Sequence, residues 1–292
     1  MRVAQSESQS PGDRISKRNF DKLARFIYDY SGIKMPPTKL TMLEGRLRRR
    51  LRATRHASFD DYCDFLFNHG GLDQETVYLI DAVTTNKTDF FRETKHFEYM
   101  LSTALPALAN SGIRTIKTWS SACSTGAEPY TMAMVLAEFT EGRNDLAYSV
   151  LATDLSTDVL QAARKGIYTV DMISPVPRKL RKKYVMVPKQ QGRGEVRISP
   201  KLRSRVGFAR MNLMDQKYPL GEPAHIIFCR NVLIYFDQQT QLVVLTRLCD
   251  CLAKGGYMFI GHSESITGFN LPLKQVSNTV FRRIDTPDME MP

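Results

Sequence analysis

The 292-residue chain reads as an α/β protein: a mostly parallel sheet carrying a small antiparallel β insert, preceded by an all-α segment. Three observations predict this. From Ser16 to about Thr84, apolar residues recur at helical spacing. From Ile116 onward, short apolar runs alternate with helical patterns, as in crossover-connected strands. Between about 175 and 210 the alternation gives way to short strand-like runs around a Gly-containing turn. The expected division is a disordered leader over 1–15, a helical domain over 16–84, and an α/β domain over 85–292 holding the insert.

In the helical segment, Phe20, Leu23, Ala24, Ile27 and Tyr28 form one stripe, and Gly32 is placed to stop that helix. The next helix, Lys39 to Arg52, carries Leu40, Leu43, Leu47 and Leu51 on its apolar face. Its other faces hold Arg46, Arg48, Arg49, Arg50 and Arg52. Ser58 is a candidate cap for a helix over Phe59–Phe67, and Leu72–Val83 is the last. In the α/β part the expected strands are Ile116–Ser120, Tyr148–Ala152, Ile226–Cys229, Tyr257–Gly261 and Thr279–Ile284. The expected helices are Pro129–Phe139, Thr157–Arg164 and Gln238–Leu252, the last ended by Gly255-Gly256. Within the insert, Lys182–Val187, Glu195–Ile198 and Val206–Ala209 are expected to form three antiparallel strands, the first two joined by the turn Gln191–Gly194.

No apolar run approaches the roughly 20 residues that cross a bilayer, and the polar start MRVAQSESQSPGDR lacks a signal-peptide apolar core. A cytoplasmic protein is expected. Five cysteines without paired spacing argue against a disulfide framework or a zinc site. The net charge of +11 points to an acidic partner without choosing among nucleic acid, lipid and protein.

Four segments carry chemistry. In Trp119–Tyr130 a strand runs into a small-residue turn, and Pro129 suits the opening of a helix. Such a turn at a parallel sheet's edge is where nucleotide-like cofactors bind, but its single Gly126 does not match GxGxxG. Asp154 ends the second strand, placed to accept from ribose hydroxyls or to cap the following helix. Phe228–Phe236 leaves a buried strand with Arg230, Asn231 and Tyr235 at its C-terminal end. A guanidinium there needs a partner, either a ligand or a structural ion pair. Thr85–Glu93 mixes amide, hydroxyl, aromatic and guanidinium groups where a plain linker would be expected.

Six motifs occur in order: Asn86-x-Thr88-x-Phe90-Phe91-Arg92-Glu93, Trp119 through Tyr130, Ala152-Thr-Asp154, Asn212-Leu213, Cys229 through Phe236, and Gly261-His-Ser-Glu264. As a set they resemble the chemotaxis receptor methyltransferases, the CheR family, over about Ser16 to Ile284. The resemblance implies a Rossmann-like class I methyltransferase domain that uses S-adenosylmethionine, releases S-adenosylhomocysteine and needs no metal. It implies a cofactor site lined by Asn86, Thr88, Arg92, Glu128, Asp154, Asn212, Leu213, Arg230 and Asn231, with Arg92 and Tyr235 beside the transferred methyl group. The acceptor it implies is a glutamate carboxylate on the cytoplasmic helical domain of methyl-accepting receptors in membrane-bound arrays. There Arg46, Arg48, Arg49 and Arg50 would steer the acidic receptor helix.

The sequence departs from the family pattern at Ala127, where a first acid is common, at His225, where an aspartate is common, and in the turn Lys189–Glu195. His225 is expected to be structural. Two other readings compete with methyl-ester formation. A nucleic-acid methyltransferase would use an Asn/Asp-Pro-Pro-aromatic motif where Arg230-Asn-Val-Leu stands, or a Pro-Cys nucleophile that the chain lacks. A non-catalytic cofactor-binding scaffold or sensor would not need Arg92, Asp154 and Tyr235 together. The expectation is a monomer that neither binds nucleic acid nor inserts into a membrane.

Overall fold

A computed structural model describes residues 14–188 and 194–284. The chain separates into two compact units, residues 1–85 and 86–292. Most of the leader expected over 1–15 lies outside the described residues. Ile15, however, is only 4% exposed, and its N–H donates to Glu44 Oε1 at 2.8 Å, so this residue belongs to the helical unit.

Among the described residues the first unit holds a 3₁₀ turn (Pro37–Lys39) and four α-helices: α1 (Lys17–Ser31), α2 (Leu40–Thr54), α3 (Phe59–Asn68) and α4 (Leu72–Val83). Ser16 caps α1 and Ser58 caps α3, each hydroxyl accepting from the N–H three residues on. Gly32 ends α1 in the left-handed region at φ 73°. Leu23, Ile27, Leu43, Leu47 and Leu79 are fully buried, so the helical stripes read from the sequence do form the core.

The arginines of α2 divide by what they touch. Arg46 donates to the carbonyls of Val83 and Thr84, satisfying the open C-terminal end of α4. Arg50 forms a two-pronged ion pair with Glu75, which also accepts from the Tyr62 hydroxyl. Both side chains are therefore structural members of this unit. Arg49 and Arg52 are exposed, and Arg48 is half-buried.

The second unit begins with α5 (Thr94–Tyr99), a π-helical turn (Met100–Ala104) and α6 (Leu105–Asn110). Then follow β1 (Thr115–Ser120), α7 (Ala127–Thr140), β2 (Ala147–Asp154), α8 (Thr157–Lys165), β3 (Ile167–Thr169), α9 (Val170–Ile173), α10 (Arg178–Tyr184), β4 (Val185–Met186), β5 (Glu195–Ile198), α11 (Pro200–Arg203) and β6 (Val206–Arg210). The unit closes with β7 (Ala224–Cys229), α12 (Gln238–Asp250), β8 (Leu252–Ile260), β9 (Leu273–Ser277) and β10 (Val280–Arg283). The large sheet runs β6-β2-β1-β7-β8-β10-β9. Its first five strands are parallel, and β10 lies antiparallel between β8 and β9. Strand order reverses between β1 and β7, which opens a crevice beyond their C-terminal ends. Trp119, Ile226, Phe228 and Phe259 are fully buried, as expected for strands covered on both faces.

Several expectations are corrected. The third strand of the small sheet is β3, not Val206–Ala209: the order is β3-β5-β4, and β6 pairs with β2 in the large sheet. Val206 and Phe208 look alike in either sheet by alternation alone, so period could not decide. Residues Lys182–Tyr184 continue a helix, leaving only Val185–Met186 as strand. The insert's turn, 189–193, lies outside the described residues. Gly255-Gly256 does not end α12, which stops at Asp250; both glycines lie within β8. Gly256 is needed there because a Cβ would come within 2.8 Å of the His225 carbonyl oxygen on β7. Helix α7 opens at Ala127 rather than Pro129, and β9 was not foreseen.

Candidate active site

Three loops meet at the reversal point. The first follows β1. It stays tied to both neighbouring strands, since Ser121 N–H donates to Phe228 O at 2.9 Å and Cys123 N–H to Thr153 O at 2.8 Å. Ser124 (φ 49°) and Gly126 (φ 93°) then turn the chain into α7. At Gly126 a Cβ would meet Ala163 Cβ and the Tyr168 hydroxyl at 2.9 Å, so the turn needs glycine for both its φ and its closeness to α8.

Asp154 holds this turn. It is 9% exposed, and its oxygens accept from the backbone N–H of Ser124 at 2.8 Å and of Ser156 at 2.9 Å. The capping alternative is excluded by position, because Ser156 is the N-cap of α8. A carboxylate offers about four acceptor sites, the chemistry that a diol requires. Asn212 lies beyond β6. Its Oδ1 accepts from Met214 N–H, while Leu213 is buried beside it.

The second loop, Asn86–Glu93, joins the first where Ser124 Oγ donates to Asn86 O at 2.7 Å. Thr88 is half-buried. Phe91 and Glu93 both sit at positive φ, 54° and 57°, an energetically costly conformation for non-glycine residues that concentrates at functional sites. Arg92, half-buried between them, donates to Lys87 O.

Arg230 at the end of β7 binds these loops to the third. Its side chain is 1% exposed. Nε and Nη2 donate to Glu93 Oε2, Nη1 donates to Glu128 Oε2 at 3.1 Å, and Nη2 also donates to the Arg92 carbonyl. The guanidinium carbon lies 5.5 Å from the ring centroids of both Phe97 and Phe228. Four donor contacts are thus made within the protein, which is the structural ion pair that the sequence left open. Glu128, near the start of α7, also accepts from Ser120 Oγ at 2.7 Å. Burial raises its carboxyl above the usual range, with Arg230 opposing. Burial also pushes Glu93 upward, but the charge and hydrogen bonds of Arg230 outweigh it and hold Glu93 low.

The third loop, Asn231 to Phe236, is held by Glu264. The Glu264 oxygens accept from the N–H groups of Asn231 (2.9 Å), Val232 (2.9 Å), Leu233 (2.7 Å) and Gly261 (2.6 Å). Burial still raises its carboxyl, with the backbone bonds pulling the other way. Asn231 (φ 58°) returns its side-chain amide to Glu93 Oε1, and Tyr235 ends a short 3₁₀ turn in this loop. Sequence reading assigned no role to Glu93 or Glu264. For Glu93 the available signal was an arginine at a buried strand end in need of an acid; Glu264 holds backbone N–H groups, which no side-chain pattern announces.

The description "CheR methyltransferase, SAM binding domain" matches residues 86–282, and "CheR methyltransferase, all-alpha domain" matches residues 18–84. The chain belongs to the CheR methyltransferase family. It is 37% identical over 274 residues to the chemotaxis protein methyltransferase of Borreliella burgdorferi, covering 92% of this chain and 95% of that protein. It is also 37% identical over 258 residues to the chemotaxis protein methyltransferase of Escherichia coli, covering 87% and 86% respectively. As a CheR methyltransferase its chemistry is S-adenosylmethionine-dependent methylation.

Two of the three departures from the CheR pattern, at His225 and Ala127, have local explanations. His225 Nδ1 accepts from Lys117 N–H at 3.0 Å, tying β7 to β1, and burial depresses its pKa. Ala127 is fully buried, a place where a second acid would lack solvent. All five cysteines are free thiols, and burial raises their pKa values, Cys63 and Cys249 to about 12, so they are not poised as nucleophiles. Among the described residues Glu93, His96 and His262 bring possible ligand atoms within 4.8 Å of one another. Glu93 Oε2 also accepts from Arg230, and the His96 nitrogen that faces it at 3.4 Å is Nδ1, while Nε2 bonds Thr279 Oγ1.

Proposed function

We propose that this chain transfers the methyl group of S-adenosylmethionine to glutamate side-chain carboxylates of chemoreceptors, forming methyl esters. The reading rests on a carboxylate- and amide-lined crevice at the strand reversal, in a chain whose relatives are named chemotaxis protein methyltransferases. The donor set fits a nucleoside. Asp154 is an acceptor suited to ribose hydroxyls, and Asn86, Thr88, Asn212 and Leu213 supply amide, hydroxyl and apolar contacts. When bound, the cofactor supplies an electrophilic methyl on a sulfonium.

The protein's residues do the rest by position. An acceptor carboxylate is already ionised at neutral pH, so no base is required. Holding it in near-attack geometry is worth roughly 7–11 kcal/mol. Arg92, on its strained turn, would engage the cofactor's carboxylate and draw the acceptor's negative charge. Tyr235 would orient the acceptor oxygen through its hydroxyl. Arg230, Glu128 and Asn231 would act by fixing the loops that carry Arg92 and Tyr235. On α2, the partner-facing role belongs to exposed Arg49, since Arg46 and Arg50 are engaged within their own unit.

The test is incubation of labelled cofactor with receptor-containing membranes. Label released as methanol by alkali is the expected result, and alkali-stable label would overturn the ester assignment. Arg92→Ala should abolish turnover; wild-type rates from that variant would remove Arg92 from the mechanism.

A further inference from the structure

Residues 164–205 hold thirteen Lys and Arg against two Asp and Glu, an excess equal to the +11 of the whole chain. All of these cations but Lys189 and Arg193 lie among the described residues, between the end of α8 and the start of β6, in and around the small β3-β5-β4 sheet.

The same surface carries exposed aliphatic side chains. In the small sheet Ile167 and Met186 both pair with Arg197. Directly opposed residues share a face, so the three form one outward row, while Tyr168, Val196 and Ile198 point inward and are buried. Ile167 is 43% exposed, Met186 51% and Val187 77%. Exposed Lys165 ends α8 just before β3, and exposed Arg178 and Lys182 lie on α10, which runs into β4; none of the three is in an ion pair among the described residues. Lys179 and Lys183, in contrast, are tied to Glu138.

We infer that this face seats on an anionic lipid surface, with Met186, Val187 and Ile167 reaching into the headgroup layer and the cations facing the phosphates. Protruding aliphatic groups in a cationic field match an interface that is charged outside and apolar beneath. A single-stranded nucleic acid would be met by exposed aromatic rings, and none stands in the row; a duplex would engage the cations alone and leave the protruding aliphatic groups without a partner. Among the described residues no helix is long and apolar enough to cross a membrane; the inferred contact is a peripheral one. It is independent of methyl transfer and needs no receptor.

The full chain is sedimented with protein-free vesicles of phosphatidylglycerol mixed with phosphatidylcholine, and with phosphatidylcholine alone. Binding is expected to the anionic vesicles only, falling as salt rises from about 0.1 M to 1 M. Arg178→Gln, Lys182→Gln and Lys165→Gln together should weaken it on the order of a hundredfold, at roughly fivefold per cation. Met186→Ser with Val187→Ser should weaken it at unchanged charge. No partition, partition insensitive to the serine pair, or preference for duplex DNA at equal phosphate concentration would each overturn the inference.

Discussion

Glu264 and Asn231 are joined across 33 residues by a 2.9 Å hydrogen bond from the Asn231 backbone N–H to Glu264 Oε2. The same carboxylate accepts three further backbone N–H groups, so one side chain sets the course of the loop that leads to Tyr235. Glu264→Gln would turn an amide NH₂ toward two of those donors. A loss of about 2 kcal/mol is expected from the unsatisfied groups, read as a lower midpoint in thermal unfolding, with a larger fall in kcat than in cofactor affinity. Unchanged kcat would mean that the loop holds its course without the carboxylate. Gly261→Ala should act similarly, since its Cβ would fall 2.8 Å from Glu264 Oε2.

Arg230 stands between two mostly buried carboxylates. Arg230→Met leaves Glu93 and Glu128 facing each other without a cation, which costs about 3–5 kcal/mol. Arg230→Lys keeps the charge but cannot reproduce the contacts to Glu93, Glu128 and the Arg92 carbonyl together, so it should recover only part of the stability. Denaturant titration of both variants checks this. Equal stability of the lysine variant and wild type would show that charge alone matters.

His96 gives the acid limb of stability a predictable sign. Burial, with Arg230 nearby, lowers its pKa from 6.5 to about 3. Between those values the unfolded chain binds a proton that the folded chain does not, so stability is fully present above pH 6.5 and falls as pH drops toward 3. The slope from this group is at most about 1.4 kcal/mol per pH unit. His96→Gln should flatten the stability profile between pH 6 and about 4. An unchanged profile would assign the acid limb to carboxylates alone.

On α2, Arg49→Glu and Arg50→Glu should behave differently. The first is exposed and is expected to slow receptor methylation, with the wild-type rate itself falling as salt rises. The second removes the partner of Glu75 and is expected to lower the stability of the helical unit. Methylation rates and thermal unfolding, measured side by side, separate the two.

Elements whose signal is local were legible in the sequence. Ser58 caps α3, Gly32 ends α1, and α4 spans Leu72–Val83 as its periodicity indicated. Asp154 and Arg230 stood out because an acid and a guanidinium at strand ends require partners. The identity of those partners was not legible, since Glu93 and Arg230 are 137 residues apart and no periodicity records such a pairing. Strand assignment failed for β6 for a related reason: whether Val206–Arg210 joins the large or the small sheet depends on β2, which supplies its hydrogen bonds from far along the chain.

The most direct measurement maps the modified residue. Receptor-containing membranes are incubated with labelled S-adenosylmethionine and either the wild-type chain or Asp154→Asn, and receptor peptides are sequenced by mass spectrometry. The account predicts methyl esters on glutamates of the helical cytoplasmic domain with wild type, and none above background with Asp154→Asn. Methyl groups on nitrogen, or on no receptor residue at all, would contradict it.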